Sequence, residues 1–205
     1  FVHAETSTGA MSDAKAISEV AKQHGALVIV DAVTSLGGSA LKVDEWKLDA
    51  VYSGSQKCLS CTPGLSPITF SDEAAQVVKN RKTPVQSWFL DLSLVMGYWG
   101  PGAKRSYHHT APVNALYSLH ESLVMLQEEG LENSWARHAK NHEALKAGLN
   151  AMGIHLTVHM QDHSTNTSGT QCCYACAAVL FATQSIASFT LLSSIVCFWN
   201  LSLQA

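Results

Sequence analysis

The stretch Ala26-Leu-Val-Ile-Val-Asp31 decides the fold. Five apolar residues in a row, three of them β-branched, read as a strand of the kind buried in a parallel sheet. It ends on a single carboxylate. Upstream, Ser12-Asp13 opens a helix running to about Gln23, with Ile17, Val20 and Ala21 as its apolar stripe and His24-Gly25 as its stop. Downstream, Asp49-Ala-Val-Tyr-Ser53 is a second short strand. Gly64-Leu-Ser-Pro-Ile-Thr-Phe70 is a third, and Pro67 places it at an edge or in an irregular stretch. Ser71-Asp72-Glu73 caps a helix through Lys79. Strands alternating with helices over short links predict an α/β layered domain with a mainly parallel sheet.

Further along, Thr83 to Thr110 reads as irregular and rich in aromatics: Trp88, Phe89, Tyr98, Trp99 and Tyr107. Ala111-Pro112 opens a long helix ending at Gly130, with Leu116, Leu119, Leu123 and Leu126 as its core stripe. A second helix runs from about Leu131 to Ala151, and Ile154-His-Leu-Thr-Val158 starts another strand. No internal repeat is present.

The 205 residues suit one domain or slightly more. Apolar residues make up 47%, enough for a core, and the formal net charge of −3 leaves no basic surplus for a phosphate backbone. No nucleic-acid partner is therefore expected. The composition is split. The 13 Lys and Arg and the 16 Asp and Glu all lie at or before Asp162, and His163 to Ala205 carries none. Cys58 and Cys61 do not make a disulfide framework, so the body reads as a reduced, intracellular protein.

Two residues in the body carry chemistry. Asp31 stands at the C-terminal end of a strand, where α/β sheets bind ligands. Taken alone, it also reads as a turn or cap aspartate. Lys57 follows the second strand in Tyr52-Ser-Gly-Ser-Gln-Lys57, flanked by small residues that let backbone approach a ligand. Alone, it is also an ordinary loop lysine. Together they match the needs of a pyridoxal phosphate site. That chemistry requires an amine to condense with the aldehyde, a carboxylate to keep the pyridine nitrogen protonated, and donors for the phosphate.

Val30-Asp-Ala-Val-Thr-Ser-Leu-Gly-Gly38 followed by Tyr52-Ser-Gly-Ser-Gln-Lys57 resembles the class V aminotransferases of fold type I. The similarity is greatest to the alanine–glyoxylate and serine–pyruvate aminotransferases, which include 3-hydroxykynurenine transaminases. His3-Ala-Glu-Thr-Ser-Thr-Gly9, Tyr107-His-His-Thr110 and Gly130-Leu-Glu-Asn-Ser-Trp135 also match, in family order, over about residues 1–158. The resemblance implies that Lys57 holds the cofactor and shuttles the proton at the substrate Cα. It implies that Asp31 pairs with the pyridine nitrogen, Val33 packs on the ring, Thr6 lies near the ring hydroxyl and Gln56 reaches the phosphate. Tyr107 and Thr110 would come from the partner subunit of a homodimer. The implied substrates are an amino acid, alanine or serine, and glyoxylate or another 2-oxo acid. The cysteine desulfurases carry His before their lysine, so Gln56 favours the transaminase. Family members are peroxisomal or mitochondrial, and the Ser-Leu-Gln-Ala terminus does not resemble a peroxisomal address.

On this reading residues 1–130 are part of the cofactor-binding large domain, 131–160 begin the small domain, and 161–205 form a charge-free apolar tail outside the family pattern. The family's phosphate loop, its ring-stacking aromatic and its substrate-gripping arginine find no match. The chain thus reads as a fragment inactive alone. The alternative is a non-catalytic truncated or tail-anchored relic, because Cys172 to Trp199 is long enough to span a bilayer. A membrane partner is expected only if that tail is an anchor. The spacing between Cys58-Leu-Ser-Cys61 and Cys173-Tyr-Ala-Cys176 does not suit a zinc site, and His108-His109 lies in a family segment, so no metal is expected. Gly54-Ser55 lacks the closing glycine of a serine-hydrolase elbow.

Overall fold

The computed structural model describes residues 1–99 and 106–154, apart from the Trp99 side chain. The expected strand over 154–158, beyond Ile154 itself, and the tail from residue 161 lie outside the described residues.

Helix α1 (Ala14–Gln23) starts where expected, because the Asp13 carboxylate accepts the Ala16 N–H. It stops where expected at His24-Gly25, with Gly25 at φ +67°. Its inward face is not the predicted one. Ala14 and Ser18 are buried and Ala21 packs on the core, while Ile17 and Val20 are exposed. The reason is close approach. Small residues at i, i+4 and i+7 let the helix sit near enough for the Ser18 hydroxyl to donate to the Trp46 carbonyl at 2.7 Å.

Strands β1 (Ile29–Asp31) and β2 (Ala50–Tyr52) pair in parallel, and β3 (Ile68–Phe70) pairs antiparallel with β2, in the order β1-β2-β3. Among the described residues the third strand lies at an edge, as Pro67 predicted. The described sheet therefore has one parallel and one antiparallel ladder. Val2 adds an isolated parallel bridge on the free side of β1, at Asp31. Val28, Val30, Ala32, Leu48 and Val51 form the core on one face, joined by Ala21, Leu36, Leu41, Val43 and Trp46. Burying each valine contributes about 1.5–3 kcal/mol. The opposite face carries Asp31 together with Ile29, Tyr52 and Ile68, which are 58%, 37% and 52% exposed. The resemblance to fold type I implies helices on both faces of the sheet, and among the described residues α1 packs on the core face through Ala21.

Ser71 caps α2 (Asp72–Lys79) as predicted, its hydroxyl oxygen accepting the Ala74 N–H. The stretch expected to be irregular contains α3 (Leu92–Trp99). Glycine and aromatic residues of modest helix propensity hide it. Its signal is Asp91, which accepts both the N–H and the hydroxyl of Ser93. Helices α4 (Val113–Glu129) and α5 (Leu131–Ala151) meet at Gly130, φ +85°, and are clasped by the paired bonds of Arg137 to Glu129. The leucine stripe of α4 is not core. Leu116, Leu119 and Leu126 are half-buried and Leu123 is exposed. Amphipathic spacing shows that a face is apolar, not that the chain covers it. Among the described residues, no helix is long and apolar enough to cross a membrane.

One buried carboxylate ties these elements together. Asp49 accepts from Lys22 Nζ on α1 at 2.7 Å, from the Val28 N–H beside β1 at 2.7 Å, and from the Ser71 hydroxyl at 2.9 Å. Its own carbonyl accepts the Ser71 N–H. Burial pushes the Asp49 carboxyl up. The bonds from Lys22, Val28 and Ser71 and the charge of Lys22 outweigh it, leaving the pKa lowered. Asp49→Ala is expected to cost about 3–5 kcal/mol in denaturant unfolding, since it strands the Val28 N–H and the lysine charge. Because the folded pKa is depressed, this stability is present in full above the unfolded value. It is lost as pH falls through the folded one, so the gap between wild type and Asp49→Ala narrows with acid. A gap independent of pH contradicts the assignment.

Candidate active site

The two parallel strands end side by side, β1 on Asp31 and β2 on Tyr52, from which the loop bearing Lys57 departs. Asp31 is the last residue of β1, half-buried, and in register with Tyr52 on β2. Its main chain is gripped from the free side. The Asp31 N–H donates to the Phe1 carbonyl at 2.9 Å, and its carbonyl accepts the His3 N–H at 2.8 Å. Its carboxylate accepts the Val33 N–H on Oδ1 at 2.9 Å and the Tyr52 hydroxyl on Oδ2 at 2.8 Å. His3 is buried, with Nδ1 2.9 Å from the Ser35 hydroxyl, and burial lowers its pKa, favouring the neutral ring. The Thr34 hydroxyl donates to the Ala4 carbonyl at 2.6 Å. The segment carrying half-buried Thr6 is thereby tied to the loop after β1.

Lys57 lies in the loop after β2, and buried serines fix that loop. The Ser53 hydroxyl donates to the Ala32 carbonyl at 3.0 Å, joining the two strand ends. Ser55 is fully buried. Its hydroxyl donates to the Thr62 carbonyl at 2.6 Å, its N–H donates to Leu65 and its carbonyl accepts from Cys61. The Lys57 carbonyl accepts the Ser60 N–H at 2.8 Å, with Ser60 held at φ +54°. Lys57 is half-buried as a residue, and its ammonium makes no hydrogen bond or ion pair among the described residues. Val33 and Gln56 converge on Gly54. A Cβ there would stand 3.4 Å from Val33 Cγ1 and 3.0 Å from Gln56 Oε1.

Tyr107 and Thr110 are exposed and bonded to each other, hydroxyl to hydroxyl, at 2.6 Å. They stand on a separate aromatic cluster. Trp88 stacks on His108 at 4.1 Å, and Phe89 and Tyr98 lie against His109. His108 Nε2 faces the Trp88 carbonyl, which can only accept, so it carries a proton. In the neutral ring His108 Nδ1 then accepts from His109 Nδ1–H at 2.8 Å. No bond links this cluster to Asp31 or Lys57 among the described residues. Nor does any group of His, Cys, Asp and Glu there suit a metal ion.

The family profile described as "Aminotransferase class-V" matches residues 1–184. The chain belongs to the class-V aminotransferases. The match runs past residue 158, where the motifs read from the sequence end. The chain is 43% identical over 159 residues to an alanine–glyoxylate aminotransferase of Callithrix jacchus, covering 77% of this chain and 38% of that protein. It is 42% identical to an (S)-ureidoglycine–glyoxylate transaminase of Bacillus subtilis, covering 76% and 41%. The solved structure of an alanine–glyoxylate aminotransferase from Nostoc superposes with a TM-score of 0.72 and 46% identity, covering 78% of this chain and 41% of that one. These neighbours have the fold type I architecture. The chain thus spans about two fifths of the length of the curated relatives it matches.

The sequence pointed to the class-V motif residues but missed the groups that brace them. Tyr52 was read as a strand residue and as the start of the motif ending at Lys57, with no role of its own, although the parallel register sets it against Asp31. Ser134 was noted only within the family-like segment Gly130-Leu-Glu-Asn-Ser-Trp135, with no role of its own. Fully buried near the start of α5, it donates to the Gly37 carbonyl at 2.8 Å across 97 residues and pins the turn after Asp31. Gly38, beside it, must lack a side chain, because a Cβ would stand 2.7 Å from Cys58 Sγ and 3.2 Å from His138 Cδ2. Gly38→Ala is expected to lower unfolding stability by about 1–3 kcal/mol by displacing Cys58 next to Lys57. Adding Cys58→Ala should recover part of the loss, a non-additivity readable in a double-mutant cycle.

Proposed function

We propose that this chain forms the cofactor-binding part of a pyridoxal-phosphate-dependent aminotransferase. Its reaction moves an amino group between alanine or serine and glyoxylate or another 2-oxo acid. The observation that carries the reading is that Asp31 ends β1 while the loop bearing Lys57 leaves the same end of the adjacent parallel strand β2, with the neighbouring Cys58 Sγ donating to the Thr34 carbonyl at 3.3 Å. Glyoxylate as acceptor is supported by its recurrence in the relatives' names. The residues present fit the cofactor. Lys57 offers an amine with no competing partner among the described residues. Asp31 offers a carboxylate whose two oxygens are each held by one donor and each keep a lone pair free.

When bound, the cofactor supplies an electron sink for negative charge developing at the substrate Cα. Lys57 Nζ would hold it and would carry the proton at the substrate Cα. Asp31 would keep the proton on the ring nitrogen. Val33 would pack against the ring, Thr6 would serve its hydroxyl side and Gln56 its phosphate. Tyr107 and Thr110, exposed and paired, serve the phosphate of a second copy in a homodimer. Residues 1–130 belong to the cofactor-binding domain and 131–160 open the small domain. The location that follows from the family is peroxisomal or mitochondrial.

The decisive experiment is borohydride reduction of the protein loaded with pyridoxal phosphate, followed by peptide mapping. The label is expected on Lys57 and absent from Lys57→Ala. A label on another lysine overturns the assignment. Asp31→Asn is expected to weaken cofactor binding and slow transamination more than Asp31→Glu. The charge-assisted bond it removes is worth about 1.5–3 kcal/mol. Equal behaviour of the two variants contradicts the role of the charge.

A further inference from the structure

The side chain of Asp31 is itself held by another side chain. An aspartate's χ2 is a soft, broad torsion, so one donor leaves the carboxylate free to pivot. Here there are two donors, one on each oxygen. The Val33 N–H fixes Oδ1 at 2.9 Å and the Tyr52 hydroxyl fixes Oδ2 at 2.8 Å. The Val33 bond is a local turn two residues on, available to most strand-end aspartates. The Tyr52 bond is not local. It exists because β1 and β2 pair in the register that sets residue 31 against residue 52 on one face of the sheet.

We propose that Tyr52 is a positioning residue for the reaction: its hydroxyl locks the Asp31 carboxylate in the plane that meets the ring nitrogen of the cofactor. The inference rests on the reading of Asp31 given above. Tyr52 can act only as a donor toward a carboxylate. The bond to Asp31, with partial burial and the Asp31 charge, also raises the phenol above its usual range, so the donor stays protonated through the working pH. Its ring stands on the open face of the sheet, 37% exposed, beside Ile68 of β3. A packing role would therefore reside in the ring and survive in phenylalanine. A positioning role resides in the oxygen and does not.

The test is a double-mutant cycle in the full chain, with pyridoxal phosphate affinity read by fluorescence titration. Tyr52→Phe is expected to weaken binding about 3- to 10-fold, the range of one net hydrogen bond. Asp31→Asn should weaken it further. The double variant should match Asp31→Asn within about twofold, because the tyrosine acts only through the aspartate. If Tyr52→Phe binds as tightly as wild type, or its penalty multiplies in the double variant, the positioning role is overturned. If Asp31→Asn itself binds as tightly as wild type, the cofactor role of Asp31 falls first, and the two failures are thereby told apart. A second readout needs no cofactor. Ultraviolet titration of wild type minus Tyr52→Phe isolates the Tyr52 phenol among the 5 tyrosines. That step should move to lower pH in Asp31→Asn, and an unmoved step refutes the contact.

Discussion

The Asp49 carboxylate is the point on which the rest of the structure depends. It stands just ahead of β2, is 3% exposed at its side chain, and is met by a lysine from α1, an amide from the entry to β1 and the hydroxyl that caps α2. A buried charge is tolerable only when paired and fully bonded, so its three partners are held as tightly as it is. The two parallel strands are thereby registered at their N-terminal ends. Registration there fixes what faces what at the other end, three residues on, where Asp31 meets Tyr52.

From that end of the sheet the chain runs into two loops, and both are held by hydroxyls as well as by the apolar contacts of Leu36 and Leu59. Ser53 and Ser55 hold the loop of Lys57, Thr34 and Ser35 hold the loop of Asp31, and Ser134 reaches in from α5. Small hydroxyl residues satisfy buried backbone carbonyls without filling space. A ligand can then approach the backbone while the loops stay fixed. Two glycines complete the arrangement, Gly38 yielding room to Cys58 and Gly54 to Val33 and Gln56.

Much of this was legible from particular residues. The apolar run ending at Asp31, the Asp13 and Ser71 caps and the His24-Gly25 stop each encode a local preference that the tertiary structure left in place. Where packing decides, the sequence misled. Ile17 and Val20 are the more apolar residues of α1, yet the helix docks through Ala14, Ser18 and Ala21, because closeness rather than hydrophobicity limited that contact. The leucines of α4 have core spacing and lie half-buried or exposed. The helix α3 was hidden by residues of weak propensity.

By itself the sequence supplied the residues of the candidate site, a strand-end carboxylate and a lysine among small residues, and the motifs around both that place the chain in its family. Local propensity and motif spacing are properties of neighbouring residues, so they can be read without a fold. Only the tertiary structure decided how that chemistry is held. The bonds from Tyr52 to Asp31, from Ser134 to Gly37 and from Lys22 to Asp49 join residues 21, 97 and 27 positions apart. Each exists only once a strand register or a helix packing is formed. No pattern along the chain records a register, because the register is set by the whole set of contacts closing together.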